Sequence, residues 1–192
     1  QPPLNLVGDF GGGSLYLAFG IAAALWEREK TGKGQVIDAA IVDGVASLMS
    51  FFAGLAPGGI VSLERSKNML GGAAPFYRCY RCADGKEIAV GALEPKFYAE
   101  LLERTGADDS LKPDQFDQKN WQAGRERLSA LFRSQPRAHW VELLGGTDVC
   151  FAPVLNPAEA EQNPHIKSRR ILRDVGGVIQ AAAAPRFNGE TP

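Results

Sequence analysis

The chain has 192 residues, of which 45% are apolar and 22% charged, enough for one large or two small hydrophobic cores in a globular protein. A formal net charge of −1 argues against a nucleic-acid surface. Three cysteines do not make a disulfide framework.

Near the start, Gly8-Asp9-Phe10-Gly11-Gly12-Gly13-Ser14 sets a carboxylate just before three glycines, and an apolar helix follows at once. Glycine lets a backbone come close to a ligand, and a helix N-terminus offers unpaired N–H groups with a partial positive charge. Such a place can hold a thioester or carboxyl oxygen as it becomes an oxyanion, with Asp9 beside it as base or nucleophile. The plainer alternative is an acidic cap on a tightly packed helix.

Ser14 to Lys30 is apolar nearly all round, which predicts a helix buried on several sides. Its apolar run, Leu15 to Trp26, is too short to span a bilayer, and no charged n-region of a signal peptide precedes it. Gln1-Pro2-Pro3 reads as a linker. Thr31-Gly32-Lys33-Gly34 ends the helix, Val36 to Ala40 predicts a short strand, and a second apolar helix runs from Asp43 to Leu55 before Pro57-Gly58-Gly59 stops it. Ser62 to Pro75 is polar and Gly-rich, a loop where composition shifts and a domain boundary falls.

Strands at Phe76 to Cys82 and Glu87 to Leu93 flank Asp84-Gly85, a β-hairpin signal. Pro95 opens a helix to about Thr105, and further helices fall at Asn120 to Arg133 and Pro136 to Leu144. Cys150 to Leu155 predicts a strand, and Asn156 caps a short helix. The tail from His165 has weak periodicity. Cys79 and Cys82, three apart on a strand, point to opposite faces, so their CxxC spacing does not make a metal site. Reduced, mostly buried thiols and a reducing compartment are expected.

Glu94 takes the N-cap position before Pro95, although Glu is not a preferred cap. It stands at a strand end, where a rigid element can aim it into a cleft, and broken local rules cluster at functional sites. The alternative is a solvated Glu near a helix dipole. His139 reads as a surface or packing residue on a helix, and His165 as a turn residue. The chain has no Gly-x-Ser-x-Gly elbow, no P-loop and no dinucleotide fingerprint.

Asn5-Leu6-Val7-Gly8-Asp9-Phe10-Gly11-Gly12-Gly13-Ser14 and Thr31-Gly32-Lys33-Gly34-Gln35-Val36-Ile37-Asp38-Ala39-Ala40 resemble the family III CoA-transferase and racemase group. Gly91-Ala92-Leu93-Glu94-Pro95-Lys96-Phe97-Tyr98, with Asn68-Met69-Leu70-Gly71-Gly72-Ala73-Ala74-Pro75-Phe76-Tyr77, is similar to the α-methylacyl-CoA racemase branch of that group.

The resemblance implies an α+β fold. Residues 1–60 correspond to a helical part of a truncated large domain, 61–75 to a linker, 76–160 to a small domain with an antiparallel sheet and helices, and 161–192 to a segment returning to the large domain. It implies exchange of the proton next to a CoA thioester, in lipid metabolism, with no metal and no cofactor. Asp9 is then a base, its backbone N–H stabilises the enolate oxygen, and Glu94 holds a catalytic His that lies upstream of the aspartate in the family. Asn5, Gly8, Phe10, Gly11, Gly12 and Gly13 line the substrate; the apolar Met69 and Leu70 are candidates to line the path of its acyl chain, with ordinary packing as the alternative. By this resemblance the chain is a C-terminal piece of a cytoplasmic, interlocked homodimer, without nucleic-acid or membrane partners and inactive alone. A family III CoA-transferase using Asp9 as nucleophile, or a non-catalytic acyl-CoA-binding fragment, are the alternatives. The Glu94-Pro95 pair favours the racemases.

Overall fold

Gly11, Gly12 and Gly13 decide how the N-terminal segment winds. With no Cβ to crowd the turn, the backbone takes a wide π-helix over Leu6–Leu15, in which the Phe10 N–H donates to the Asn5 carbonyl at 3.2 Å. The structure is a computed structural model that describes residues 3–189 apart from 63, 65, 108–110, 112 and 113. Gln1 and Pro2, expected as linker, lie outside the described residues, as do 63 and 65 of the expected loop and 190–192 of the expected return segment. Mixed helices and small antiparallel sheets make an α+β fold, divided into two compact units, Gln1–Asn68 and Met69–Pro192.

In the first unit the π-helix runs straight into α1 (Tyr16–Thr31), which ends at Gly32 with φ 70° and its N–H on the Arg28 carbonyl. α2 (Ile41–Leu55) lies against the π-helix. The two backbones meet at Gly12 and Gly44: a Cβ on Gly44 would run into the Gly12 carbonyl, and one on Gly12 would stand 2.8 Å from Val45 Cγ2. The Tyr16 hydroxyl, at the start of α1, donates to Ser47 Oγ of α2 at 2.7 Å.

Three expectations fail in this unit. Val36 to Ala40 is extended but pairs with no strand among the described residues, because the unit supplies no second strand for a ladder. The first helix is not buried on several sides: none of α1 is buried, and Phe19 and Trp26 are 76% and 66% exposed. The helical stretch is also longer than the run from Leu15 to Trp26, since the glycine segment joins it. Leu6–Thr31 (26 residues) and Ile41–Gly58 (18 residues) are both long and apolar enough to cross a membrane by length and composition.

The second unit is built on an antiparallel sheet, β1 (Tyr77–Arg81), β2 (Glu87–Gly91) and β3 (Phe151–Pro153), in the order β1-β2-β3. Tyr77 pairs with Gly91, and Val90 with Phe151. Strand alternation turns Tyr80, Ile88 and Val90 inward and leaves Tyr77, Cys79 and Arg81 outside. α3 (Pro95–Thr105), α4 (Trp121–Arg133) and α5 (Arg137–Leu144) give Leu101, Leu102, Leu128, Phe132 and Leu144 to the same core. Of the cysteines only Cys82 is buried; Cys79 and Cys150 are exposed, because β1 and the approach to β3 turn them to the uncovered side of the sheet. After α6 (Pro157–Gln162) and α7 (Pro164–Ser168), β4 (Leu172–Val175) and β5 (Val178–Ala181) form a separate hairpin around Gly176-Gly177. His165 is therefore in a short helix rather than a turn.

Glu159 ties three of these elements together. Its carboxylate accepts two bonds from the Arg137 guanidinium at the start of α5, one from Lys86 Nζ (2.8 Å) at the hairpin turn, and one from the Asn156 N–H in a capping box at the start of α6. First Arg137, then Lys86 and then the Asn156 amide hold its carboxyl at about 2, below its ordinary 4.5.

Two measurements check this account. Because the folded carboxyl is the stronger acid, the stabilisation is complete above the unfolded value near 4.5 and is lost as pH falls toward 2. Glu159→Gln should flatten that part of the stability–pH curve in denaturant titrations. Separately, Gly44→Ala should destabilise by about 1–3 kcal/mol through overpacking. Gly54→Ala, on the same helix with nothing within 4 Å of the new Cβ, should stabilise by up to about 1 kcal/mol. Equal effects at the two positions would show that the Gly12–Gly44 approach does not govern this packing.

Candidate functional site

The candidate residues fall in both units. Asp9 is an exposed residue in the first turn of the π-helix, three residues after its start at Leu6. The glycines thus lie inside the helix rather than in a turn before it. Since the first five-residue bond joins Asn5 to Phe10, the N–H groups of Val7, Gly8 and Asp9 precede any intrahelical acceptor. Asn5, the N-cap residue, makes no side-chain cap bond to them. Gly8 has open space where a Cβ would stand, whereas Gly11 faces Leu48 and Gly12 and Gly13 are buried against Val45 and Ile41. Gly8 and the Asp9 amide therefore border solvent, while Gly11, Gly12 and Gly13 serve the helix crossing. Phe10 is half exposed, and the Ser14 hydroxyl donates to the Asp9 carbonyl at 3.1 Å.

In the second unit the chain leaves β2 through a tight turn. Gly91 N–H donates to the Cys150 carbonyl, and Leu93 N–H turns back onto the Gly91 carbonyl, both at 2.8 Å. Glu94 follows as N-cap of α3, with φ −72° and ψ 138°. Its carbonyl accepts from Phe97 and Tyr98, but its exposed side chain makes no cap bond. The carboxylate is left free of the local duty that a cap residue ordinarily performs.

Sequence reasoning missed two neighbours of Glu94. Cys150 carries φ 53°, and desolvation, then the charges of Glu94 and Asp148, push its thiol above the ordinary value. Gln115 reaches from the loop before α4 to the backbone just ahead of Glu94, with Nε2 at 3.2 Å from the Ala92 carbonyl and 3.0 Å from that of Leu93. Neither has a local sequence signal. Met69 packs against the core while Leu70, in the same 3₁₀ turn, is 42% exposed, so Leu70 is the one of the pair open to an apolar ligand. His139 lies edge-on to Trp140 on α5, with ring centroids 4.8 Å apart.

The CoA-transferase family III pattern matches residues 3–192, and the chain belongs to that family. Within it, the chain is 43% identical over 168 residues to the α-methylacyl-CoA racemase of Mus musculus and 42% identical over 167 residues to that of Homo sapiens. These matches cover 88% and 87% of this chain and 44% of each relative. A solved CaiB/BaiF family protein from Brucella suis superposes with a TM-score of 0.67 at 25% identity, over 92% of this chain and 48% of that one. The chain therefore spans less than half the length of these relatives, and it shares their fold over nearly all of its own.

Because the Glu94 charge raises the Cys150 pKa, Glu94→Gln should speed alkylation of Cys150 by iodoacetamide at neutral pH. Peptide mass spectrometry reads the rate, and an unchanged rate would show that the two side chains do not face each other.

Proposed function

We propose that this chain forms part of an enzyme that interconverts the two epimers of a 2-methylacyl-CoA thioester. Asp9 removes the C2 proton from one face, electrons move onto the thioester oxygen, and an acid on the opposite face returns a proton to C2. Glu94 orients that second group, which by family resemblance is a histidine N-terminal to this segment. The chemistry is carried by protein acid–base groups, and the Asp9 amide donates to the enolate oxygen. The observation that carries the reading is the first turn of the π-helix: a carboxylate and uncommitted N–H groups side by side, with Gly8 leaving the approach open. The similarity to named racemases supports this reaction among those that an acid and an oxyanion site can run. Leu70, exposed beside the core of its unit, offers an apolar contact to the acyl chain. We further propose that the exposed apolar faces of α1 and α2 are covered by the remainder of a longer polypeptide and its dimer partner.

A second reading is favoured by the family's own name. In a CoA-transferase, Asp9 attacks the acyl carbonyl and CoA leaves as its thiolate. The thiolate then attacks the Asp9 carbonyl carbon of the mixed anhydride, which releases the donor acid as a carboxylate and leaves CoA on Asp9 as a thioester. An acceptor carboxylate takes the CoA through a second mixed anhydride that frees Asp9.

In the full encoded polypeptide, Asp9→Asn and Glu94→Gln should each slow epimerisation by about 10²- to 10⁴-fold. Deuterium uptake from D₂O at C2 of a 2-methylacyl-CoA, followed by NMR, measures it. Exchange at the wild-type rate in Asp9→Asn would reject its role as base. A hydroxylamine-trapped adduct at Asp9, with transfer of CoA to an added free carboxylate, would establish the transferase instead.

A further inference from the structure

We propose that Gln115 is a positioning residue for Glu94: its side-chain amide holds the two carbonyls that precede Glu94 and so fixes the direction in which the carboxylate leaves the sheet. The inference rests on Glu94 orienting the second acid–base group, as proposed above.

β2 ends at Gly91, and the Ala92 and Leu93 carbonyls lie past the end of its ladder. Ala92 is fully buried, a place where a backbone carbonyl needs a donor. A primary amide carries two hydrogens on one nitrogen, which suits two successive carbonyls, and Gln115 Nε2 meets them at 3.2 and 3.0 Å. Gln115 is itself held. Its own carbonyl accepts from Trp121 Nε1 at 2.9 Å, and the Trp121 ring is 5% exposed and edge-on to Phe76. Phe76 also meets Tyr98, one turn into the helix that Glu94 opens. The orientation of the Ala92 and Leu93 peptides sets the direction of the Glu94 Cα–Cβ bond. The Glu94 side chain, making no cap bond, adds no anchor there of its own. Removing the amide would leave the core in place and let the carboxylate swing.

The test uses the full encoded polypeptide. Gln115→Met keeps the length of the side chain and removes both donors. Epimerisation should fall about 10- to 100-fold, with KM within about twofold, as for a group displaced by an ångström. Deuterium exchange without inversion, into the epimer whose C2 proton faces Asp9, should persist, because that half of the reaction does not use Glu94. A merely destabilised fold would lower both rates together, and that result overturns the proposal. In the Glu94→Gln background, Gln115→Met should cost less than about twofold more; multiplied losses would show that Gln115 does not act through Glu94. Gln115→Lys, long enough to return N–H donors to both carbonyls, should recover most of the rate, and a folded Lys variant as slow as Met overturns the proposal. Where the Met variant does not fold, Gln115→Asn, one methylene too short, is read in its place against the same criteria. Wild-type epimerisation in Gln115→Met, with Glu94→Gln slow, overturns this inference and leaves the site reading standing. No exchange in the wild type removes the site reading and this inference with it.

Discussion

Phe76 fixes the second unit. It is fully buried just ahead of β1, and three rings meet its own at steep angles: Tyr98 of α3 at 5.5 Å, Phe116 of the intervening loop at 5.6 Å and Trp121 of α4 at 6.1 Å. Edge-to-face packing is directional where aliphatic packing is not. Each ring therefore fixes not only that its element is near β1 but also how that element is rotated. α3 cannot turn about its axis without losing the Tyr98 contact, and Glu94 opens α3. The loop carrying Gln115 cannot lift without losing those of Phe116 and Trp121. The cluster also runs outward, since Phe116 is 51% exposed. One aromatic group thus connects the core to the turn from which the free carboxylate emerges.

Helix starts in the chain are of two kinds, capped by a side chain and uncapped. Asn156 accepts from the Glu159 N–H in a complete capping box, Asn163 accepts from His165 and Ile166, and Asp117 accepts from Lys119. Those side chains satisfy donors that a helix leaves open, each contributing about 1 kcal/mol. Asn5 before the π-helix and Glu94 before α3 do not. Nor do the residues before α1, α2, α4 and α5, Asn120 before α4 among them. At Glu94 the uncapped start leaves the carboxylate uncommitted, as the role proposed for it requires.

The hairpin, α3 and α5 were readable because each has a local cause: Asp84-Gly85 at the turn, Pro95 at a first helical position, and apolar spacing in Trp140 and Leu144. Glu94 was readable for the opposite reason, as a residue that breaks a local rule. The π-helix was not. Three glycines signal freedom of φ, and that freedom reads as a turn unless the helix crossing at Gly44 is known. Val36-Ile37 has strand propensity, but a strand needs a partner, and the partner is not a property of the segment. The hairpin around Gly176-Gly177 had its turn signal in plain view, between flanks of only four residues each. Gln115 could not be read at all, because the carbonyls it holds lie 22 and 23 residues away in sequence.

The exposed apolar surface of the first unit follows from the same glycines. When two helices meet through Gly12 and Gly44, backbone packs on backbone, and those residues with Gly13 are the buried ones among those described in the unit. The larger side chains splay away from the crossing, so Phe10, Phe19 and Trp26 stand outside. In the proposed reaction, an enolate oxygen at the Asp9 amide would be stabilised strongly only where water is kept out, since the same donor acts through a much higher dielectric in solvent. Close helix approach therefore leaves one requirement in two places. If the proposed reaction holds, whatever covers these apolar faces also has to dry the first turn of the π-helix, so the covering of the faces and the acid–base power of Asp9 would depend on the same surface.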